Sequence, residues 1–185
     1  MSASVPKRSG LLARLCALDL GLLRFARRAG HAPALERAVS RFSRLGEHAA
    51  IWLAVGSVGG LVGSCRSAWR RATAVVAFAY LLNTAIKFTV RRPRPNLPDL
   101  PPLTSTPSGL SFPSAHTTTA VVGSALYARL GLPAFPLRLL AASLAYSRIY
   151  LGVHYPSDLV GGGVLGALIA KVARRWVERP LNGDG

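Results

Sequence analysis

The sequence predicts an all-α, polytopic membrane helix bundle of about six core helices, and three observations carry that prediction. Half of the 185 residues are hydrophobic, and mean hydropathy is +0.33. Only 16% are charged, against roughly 25% in an ordinary soluble domain. The basic residues fall between long apolar runs, which is the pattern of bilayer anchoring and not the stripe that tracks a duplex. The net charge of +16 and the pI near 11.5 therefore point to a membrane and exclude nucleic acid as the partner.

Residues 1–9 read as disordered. Lys7 and Arg8 ahead of the apolar run Leu11–Leu23 look like a secretory signal. Arg14, Asp19 and Arg24 interrupt that run, however, and no small-residue cleavage site follows. The segment is expected to be retained, as an amphipathic surface helix or as a first span. Residues 33–47 predict a second, more polar helix with Arg37, Arg41 and Arg44 on a headgroup-facing side. Five spans then follow, at Ala49–Cys65, Thr73–Val90, Ser114–Leu130, Leu137–Tyr150 and Pro156–Val172. Glycines 56, 59, 60 and 63 give the first of these the small-xxx-small spacing that lets helices approach closely, expected here to serve packing within the bundle. A basic turn with Arg66, Arg70 and Arg71 leads into the second. Seven of the 13 prolines lie between residues 91 and 113, so that stretch is a shaped loop and not a helix. Cys16 and Cys65 have no metal-site spacing and read as small buried hydrophobes, with no disulfide assigned.

With a span on each side of every turn, three polar clusters fall on one face of the membrane. They are Lys87 with Arg94, then Pro113-Ser114-Ala115-His116, then Ser147-Arg148 with His154 and Asp158. Together they form a phosphate-handling set. Arginine grips phosphate oxygens in pairs and lysine adds a point charge. Ser114 is placed to cap the helix that follows, whose free amides attract an anion. Asp158 can hold one imidazole nitrogen of His154, leaving the other for in-line attack on phosphorus. His116 can protonate the leaving oxygen, while Lys87, Arg94 and Arg148 offset charge on the remaining oxygens. No carboxylate cluster suggests a metal, and no cofactor is expected. Arg91 and Arg92 read equally well as cations snorkelling to the interface. His31 and His48 read as interfacial or structural.

These clusters resemble the three signatures of the type 2 phosphatidic acid phosphatases, KxxxxxxRP, PSGH and SRxxxxxHxxxD, a family that shares its phosphate site with vanadium haloperoxidases. The first is met by Lys87 through Arg94-Pro95 and the third by Ser147-Arg148, His154 and Asp158. The second departs at Ala115, where the signature has glycine, which crowds the backbone beside the phosphate. The resemblance covers about 72–172. It implies a metal-independent phosphatase with nucleophile His154, general acid His116 and supporting Asp158, and with phosphate held by Lys87, Arg94, Ser114 and Arg148. It divides the chain into N-terminal helices 1–48, a phosphatase domain 49–179 and a tail 180–185. It also implies a six-helix core in which Leu11–Arg28 takes the place of the first helix. The short chain and the run Arg91–Pro102 look most like small actinobacterial members acting on polyprenyl phosphates. A lipid phosphomonoester is then the expected substrate, with a polyprenyl diphosphate or phosphatidic acid as alternatives. A haloperoxidase and a non-catalytic lipid-binding scaffold are the rival classes.

Loop charges set the expected side. Arg66, Arg70, Arg71, Arg129, Arg138, Lys171, Arg174, Arg175 and Arg179 fall on the opposite face. The site face keeps only Arg91 and Arg92 once Lys87, Arg94 and Arg148 are assigned to phosphate. The positive-inside rule then puts the site on the extracytoplasmic side of the cell membrane, provided that residues 10–30 cross and carry the other N-terminal cations away.

Overall fold

The computed structural model describes residues 10–28 and 30–179, so the expectations for residues 1–9 and for the tail lie outside it. The described residues form seven α-helices and no strand: α1 Gly10–Arg28, α2 Pro33–Arg44, α3 Ala50–Val62, α4 Arg66–Val90, α5 Ala115–Arg129, α6 Ala134–Tyr150 and α7 Pro156–Val177. A single 3-10 turn, Glu47–Ala49, precedes α3. Helices α3 to α7 run up and down in sequence, so the ends of α4 and α6 and the starts of α3, α5 and α7 meet at one end of the bundle.

The helix bounds depart from the sequence reading in one consistent way. Arg66, Arg70 and Arg71 lie within the first turns of α4 and not in a turn before it, and α7 continues past Val172 to Val177. Long cationic stems lie along a helix while their heads reach polar surroundings, so charge at a helix end did not mark where the helix stops. Two helices, α4 and α7, are each long and apolar enough to cross a membrane, and α2 with the turn and α3 qualify together as a pair bent by 50°. The other two bundle helices, α5 and α6, have 15 and 17 residues.

The core is aromatic and tightly closed. Trp52, Trp69 and Tyr127 pack together, and the Tyr127 hydroxyl donates to the Trp52 carbonyl at 2.8 Å. Gly59 is what admits Trp69, because a Cβ there would stand 2.2 Å from the indole. The glycines of α3 thus serve packing inside the bundle. Helices α5 and α7 touch just as closely, since a Cβ on Gly166 would stand 2.7 Å from the Thr118 carbonyl. A buried polar chain fixes their register: Asn83 donates to the Thr118 hydroxyl at 2.9 Å, and that hydroxyl donates to the Gly162 carbonyl at 3.1 Å. Both cysteines are exposed, Cys16 on α1 and Cys65 in the turn between α3 and α4. Their expected burial fails because an apolar neighbourhood in this sequence faces lipid as often as core.

Helix α1 is built inside out relative to a soluble amphipathic helix. Its buried stripe is Asp19, Leu23 and Arg27 at i, i+4 and i+8, while Leu15, Leu18, Leu22 and Phe25 are exposed. Asp19 meets Ser157 at the start of α7, and Arg27 donates to the carbonyls of Tyr150, at the end of α6, and Pro101. Eight residues of helix span about 12 Å, yet both contacts lie at the site end of the bundle. Helix α1 therefore rests against that end, and it is not among the described helices long and apolar enough to cross a membrane. Helix α2 follows it there with Arg37, Arg41 and Arg44 exposed. The N-terminal cations gather at the site end, which removes the charge asymmetry on which the expected sidedness was based.

Candidate active site

Helix α4 ends because Arg91 adopts a left-handed conformation (φ 54°) and Pro93 blocks continuation. The chain then pairs back on itself, with the Arg94 amide on the Gly109 carbonyl and the Ser111 amide on the Arg92 carbonyl. This short antiparallel strap aims Arg94 into the bundle end. The turn after α6, residues 151–155, brings His154 opposite.

Five of the seven predicted site residues, Lys87, Arg94, His116, Arg148 and His154, line one cavity of 220 Å³. The other two stand behind it. Asp158 is fully buried and accepts from His154 Nδ1 at 3.3 Å, from the Tyr155 amide at 2.8 Å and from Arg92 Nη1 at 2.8 Å. Ser114 occupies the N-cap position of α5 but makes no side-chain cap, and its amide is taken by the Asp158 carbonyl at 3.0 Å. The amides that α5 offers an anion are therefore those of its first helical residues. Ala115 begins α5 with an ordinary helical backbone and lines the cavity, so the position that is glycine in the signature does not need glycine's conformational freedom here.

The two histidines are held in complementary ways. His154 Nδ1 donates to Asp158, and its Nε2 lone pair accepts from Arg94 Nη1 at 3.1 Å at the cavity edge. Burial, then the charges of Arg94, Arg148 and Lys87, hold the imidazole well below the usual histidine range, so it stays neutral and nucleophilic. Burial also pushes the Arg94 guanidinium down, to about 10 with Asp158 opposing, which leaves it a cation at neutral pH. His116 directs Nε2 to the Ser43 carbonyl at 3.0 Å, leaving Nδ1 for proton transfer. Arg148 is 2% exposed and gives Nη1 to the Ser43 hydroxyl at 2.6 Å, while its Nε has no partner. A buried guanidinium with an unused donor beside a cavity is suited to an incoming oxyanion.

Several contributors escaped the sequence reading. Ser43 joins His116, Arg148 and Ser147 from α2. Arg92 pairs with both Asp158 and Asp19, and the Ser157 hydroxyl completes the cluster. This corrects the reading of Arg92 as a snorkelling cation. The sequence signal was present, because a lone acid in an apolar helix needs a partner. His48, read as structural, lines the same cavity together with Glu47, Tyr80 and Thr84. His31 sits apart, stacked on Tyr150 and bonded to Glu36.

The geometry agrees with what this chain resembles. Residues 68–181 match the PAP2 superfamily. Decaprenylphosphoryl-5-phosphoribose phosphatase of Mycolicibacterium smegmatis is 43% identical over 128 residues, 68% of each chain. The enzyme of the same name from Mycobacterium tuberculosis is 41% identical over 132 residues, 70% of this chain and 73% of the relative. The fold superposes on the transmembrane PAP2 type phosphatidylglycerolphosphate phosphatase of Bacillus subtilis with a TM-score of 0.75, covering 92% of this chain and 89% of the other at 23% identity. A phosphate-shaped cation cluster around two histidines, on this fold and with these relatives, places the chain in the PAP2 superfamily, as one of its membrane phosphatases.

Proposed function

We propose that the protein hydrolyses a lipid phosphomonoester without a metal, and that the substrate is polyprenyl-linked, of the decaprenylphosphoryl-5-phosphoribose kind. The observation that carries the mechanism is His154 held between Asp158 and Arg94 at a cavity that also contains Lys87, Arg148 and His116. Arg94 leaves His154 Nε2 for the phosphate oxygens, and Nε2 then attacks phosphorus in line. As the phosphorus–oxygen bond to the lipid breaks, His116, whose Nδ1 has taken the proton of a phosphate bound as its monoanion while Nε2–H stays on the Ser43 carbonyl, gives that proton to the leaving oxygen. Asp158 steadies the positive charge on the His154 ring. Water, deprotonated by His116, then attacks the phosphohistidine and releases inorganic phosphate. Residues 49–179 act as the catalytic domain, with helices α3 to α7 crossing the bilayer and helices α1 and α2 bracing the site end.

We place the site on the extracytoplasmic side. Supporting this is the pairing of the cations and not their number. Among the described residues, Arg66, Arg70, Arg138, Lys171 and Arg175 at the opposite end have no ion pair. At the site end Arg24, Arg28 and Arg92 are paired with acids and Lys87, Arg94 and Arg148 line the cavity, which leaves, on α2, Arg37, Arg41 and Arg44.

The test is phosphate release in the presence of EDTA from decaprenylphosphoryl-phosphoribose, a polyprenyl diphosphate and phosphatidic acid, comparing wild type with His154→Ala. The expected result is EDTA-resistant release, fastest from the first lipid, and at least a thousandfold loss in the variant. Release by the variant at the wild-type rate would rule out His154 as nucleophile.

A further inference from the structure

The cavity has two walls of different chemistry. Lys87, Arg94, His116, Arg148 and His154 form one, and the phosphate occupies it in the mechanism above. Glu47, His48, Tyr80 and Thr84 form the other, with Phe88 beside them. Nothing in the phosphoryl-transfer chemistry uses this second wall. We propose that it is a hydroxyl-recognising subsite, which selects phosphomonoesters carried on a polyhydroxylated group such as a pentose over diphosphates and over phosphates on a hydroxyl-free chain. The proposal rests on the phosphatase reading and names what the same site selects.

Three features carry it. Tyr80, Thr84 and Lys87 stand at i, i+4 and i+7 on α4, so the helix face that delivers the ammonium to phosphate also delivers the Tyr80 hydroxyl, together with the Thr84 oxygen as an acceptor, since Thr84 donates its own proton to the Tyr80 carbonyl at 2.9 Å. Glu47 has a carboxylate with no hydrogen-bond or ion-pair partner among the described residues, although it lines a cavity rich in cations. A carboxylate only accepts, and it accepts well from two hydroxyls at once. To a second phosphate it presents like charge, which repels. The wall therefore opposes a diphosphate and favours a neutral donor-rich group.

The third feature is the backbone that sets the wall in place. His48 and Ala49 both adopt left-handed conformations, at φ 51° and 61°. Such a conformation is strained for a residue with a Cβ and persists where the surrounding structure over-determines it. Here it brings His48 Nδ1 to 2.7 Å from the Tyr80 hydroxyl, fixing that hydroxyl in the wall. Gly46, one residue before the turn, lies against the His116 ring, where a Cβ would stand 2.5 Å from Cδ2. The second wall is thus held at a fixed distance from a catalytic group.

The test compares kcat/KM of the full-length protein in vesicles on decaprenylphosphoryl-5-phosphoribose, on farnesyl monophosphate as the hydroxyl-free comparator, and on farnesyl diphosphate. Glu47→Gln and Tyr80→Phe are each expected to lower the ratio of the first to the second at least tenfold. Glu47→Gln is also expected to raise farnesyl diphosphate severalfold relative to the monophosphate. Orthovanadate inhibition, measured on farnesyl monophosphate, reports whether the phosphate wall of each variant stays assembled. With that inhibition retained, an unmoved ratio in both variants would overturn the subsite while leaving the phosphatase reading intact. Absence of phosphate release from every lipid by wild type would overturn both.

Discussion

At the scale of single residues, Ser43 does more than its place in a polar N-terminal helix suggests. Its hydroxyl accepts from Arg148 and from Ser147, and its carbonyl accepts from His116. One buried residue therefore orients both a phosphate-binding cation and the proposed acid. Ser43→Ala leaves a second donor of a buried guanidinium unpaired, a loss of about 1.5–3 kcal/mol for a hydrogen bond to a charged group. The expected outcome is a fall of kcat/KM by tenfold or more on a lipid phosphate, largely restored by Ser43→Thr, and wild-type kinetics in the alanine variant would remove Ser43 from the site. Lys87, Arg94, His116, Arg148, His154 and Asp158 were legible in the sequence because phosphoryl transfer requires cations, imidazoles and a carboxylate at fixed separations along helix ends. Ser43 and Glu47 were not. Ser43 is an ordinary polar residue whose role exists only through partners on α5 and α6, more than 70 positions away, and Glu47 is placed only by the turn before α3; neither periodicity nor spacing reports either.

At the scale of elements, α1 shows how a charged residue inside an apolar helix is resolved. Asp19 turns inward to Arg92, which in turn holds Asp158, so the helix is tied to the catalytic carboxylate through one guanidinium. Arg92 also lies over the Tyr155 ring at 4.2 Å, and its carboxylate partners hold it firmly charged. Asp19→Ala should release α1 from the bundle. Trypsin is then expected to cut near Arg24 and Arg27 faster by tenfold or more, and thermal stability in detergent to fall. An unchanged digestion rate would show that α1 is held by other means. The sequence announced that α1 was unusual, through Arg14, Asp19 and Arg24, but left its orientation open. Settling it took the partners on α6, α7 and the proline-rich loop. The existence of α3 to α7 was legible throughout, since the apolar runs and the proline-rich break have no other reading, whereas their ends shifted wherever a basic side chain extended the helix.

At the scale of the whole molecule, the two exposed cysteines mark opposite ends of the bundle, Cys16 beside the site and Cys65 in the turn between α3 and α4. A membrane-impermeant maleimide added to intact cells reads them separately in Cys65→Ser and Cys16→Ser variants. Labelling of Cys16 with Cys65 protected is the expected outcome, and the reverse pattern would put the site on the cytoplasmic side. Helix length carries a further consequence. Helices α3, α5 and α6 have 13, 15 and 17 residues, or about 20–26 Å of rise, whereas α4 and α7 have 25 and 22. The hydrocarbon layer is about 30 Å thick, so, with α3 to α7 crossing as proposed, the lipid beside α3 and α6 must thin, whereas α5 lies buried inside the bundle. Every ångström added by longer acyl chains then costs a fraction of a kcal/mol at that flank. The length of its neighbours' tails thus becomes a setting on the enzyme, felt by α6, the helix that carries Arg148.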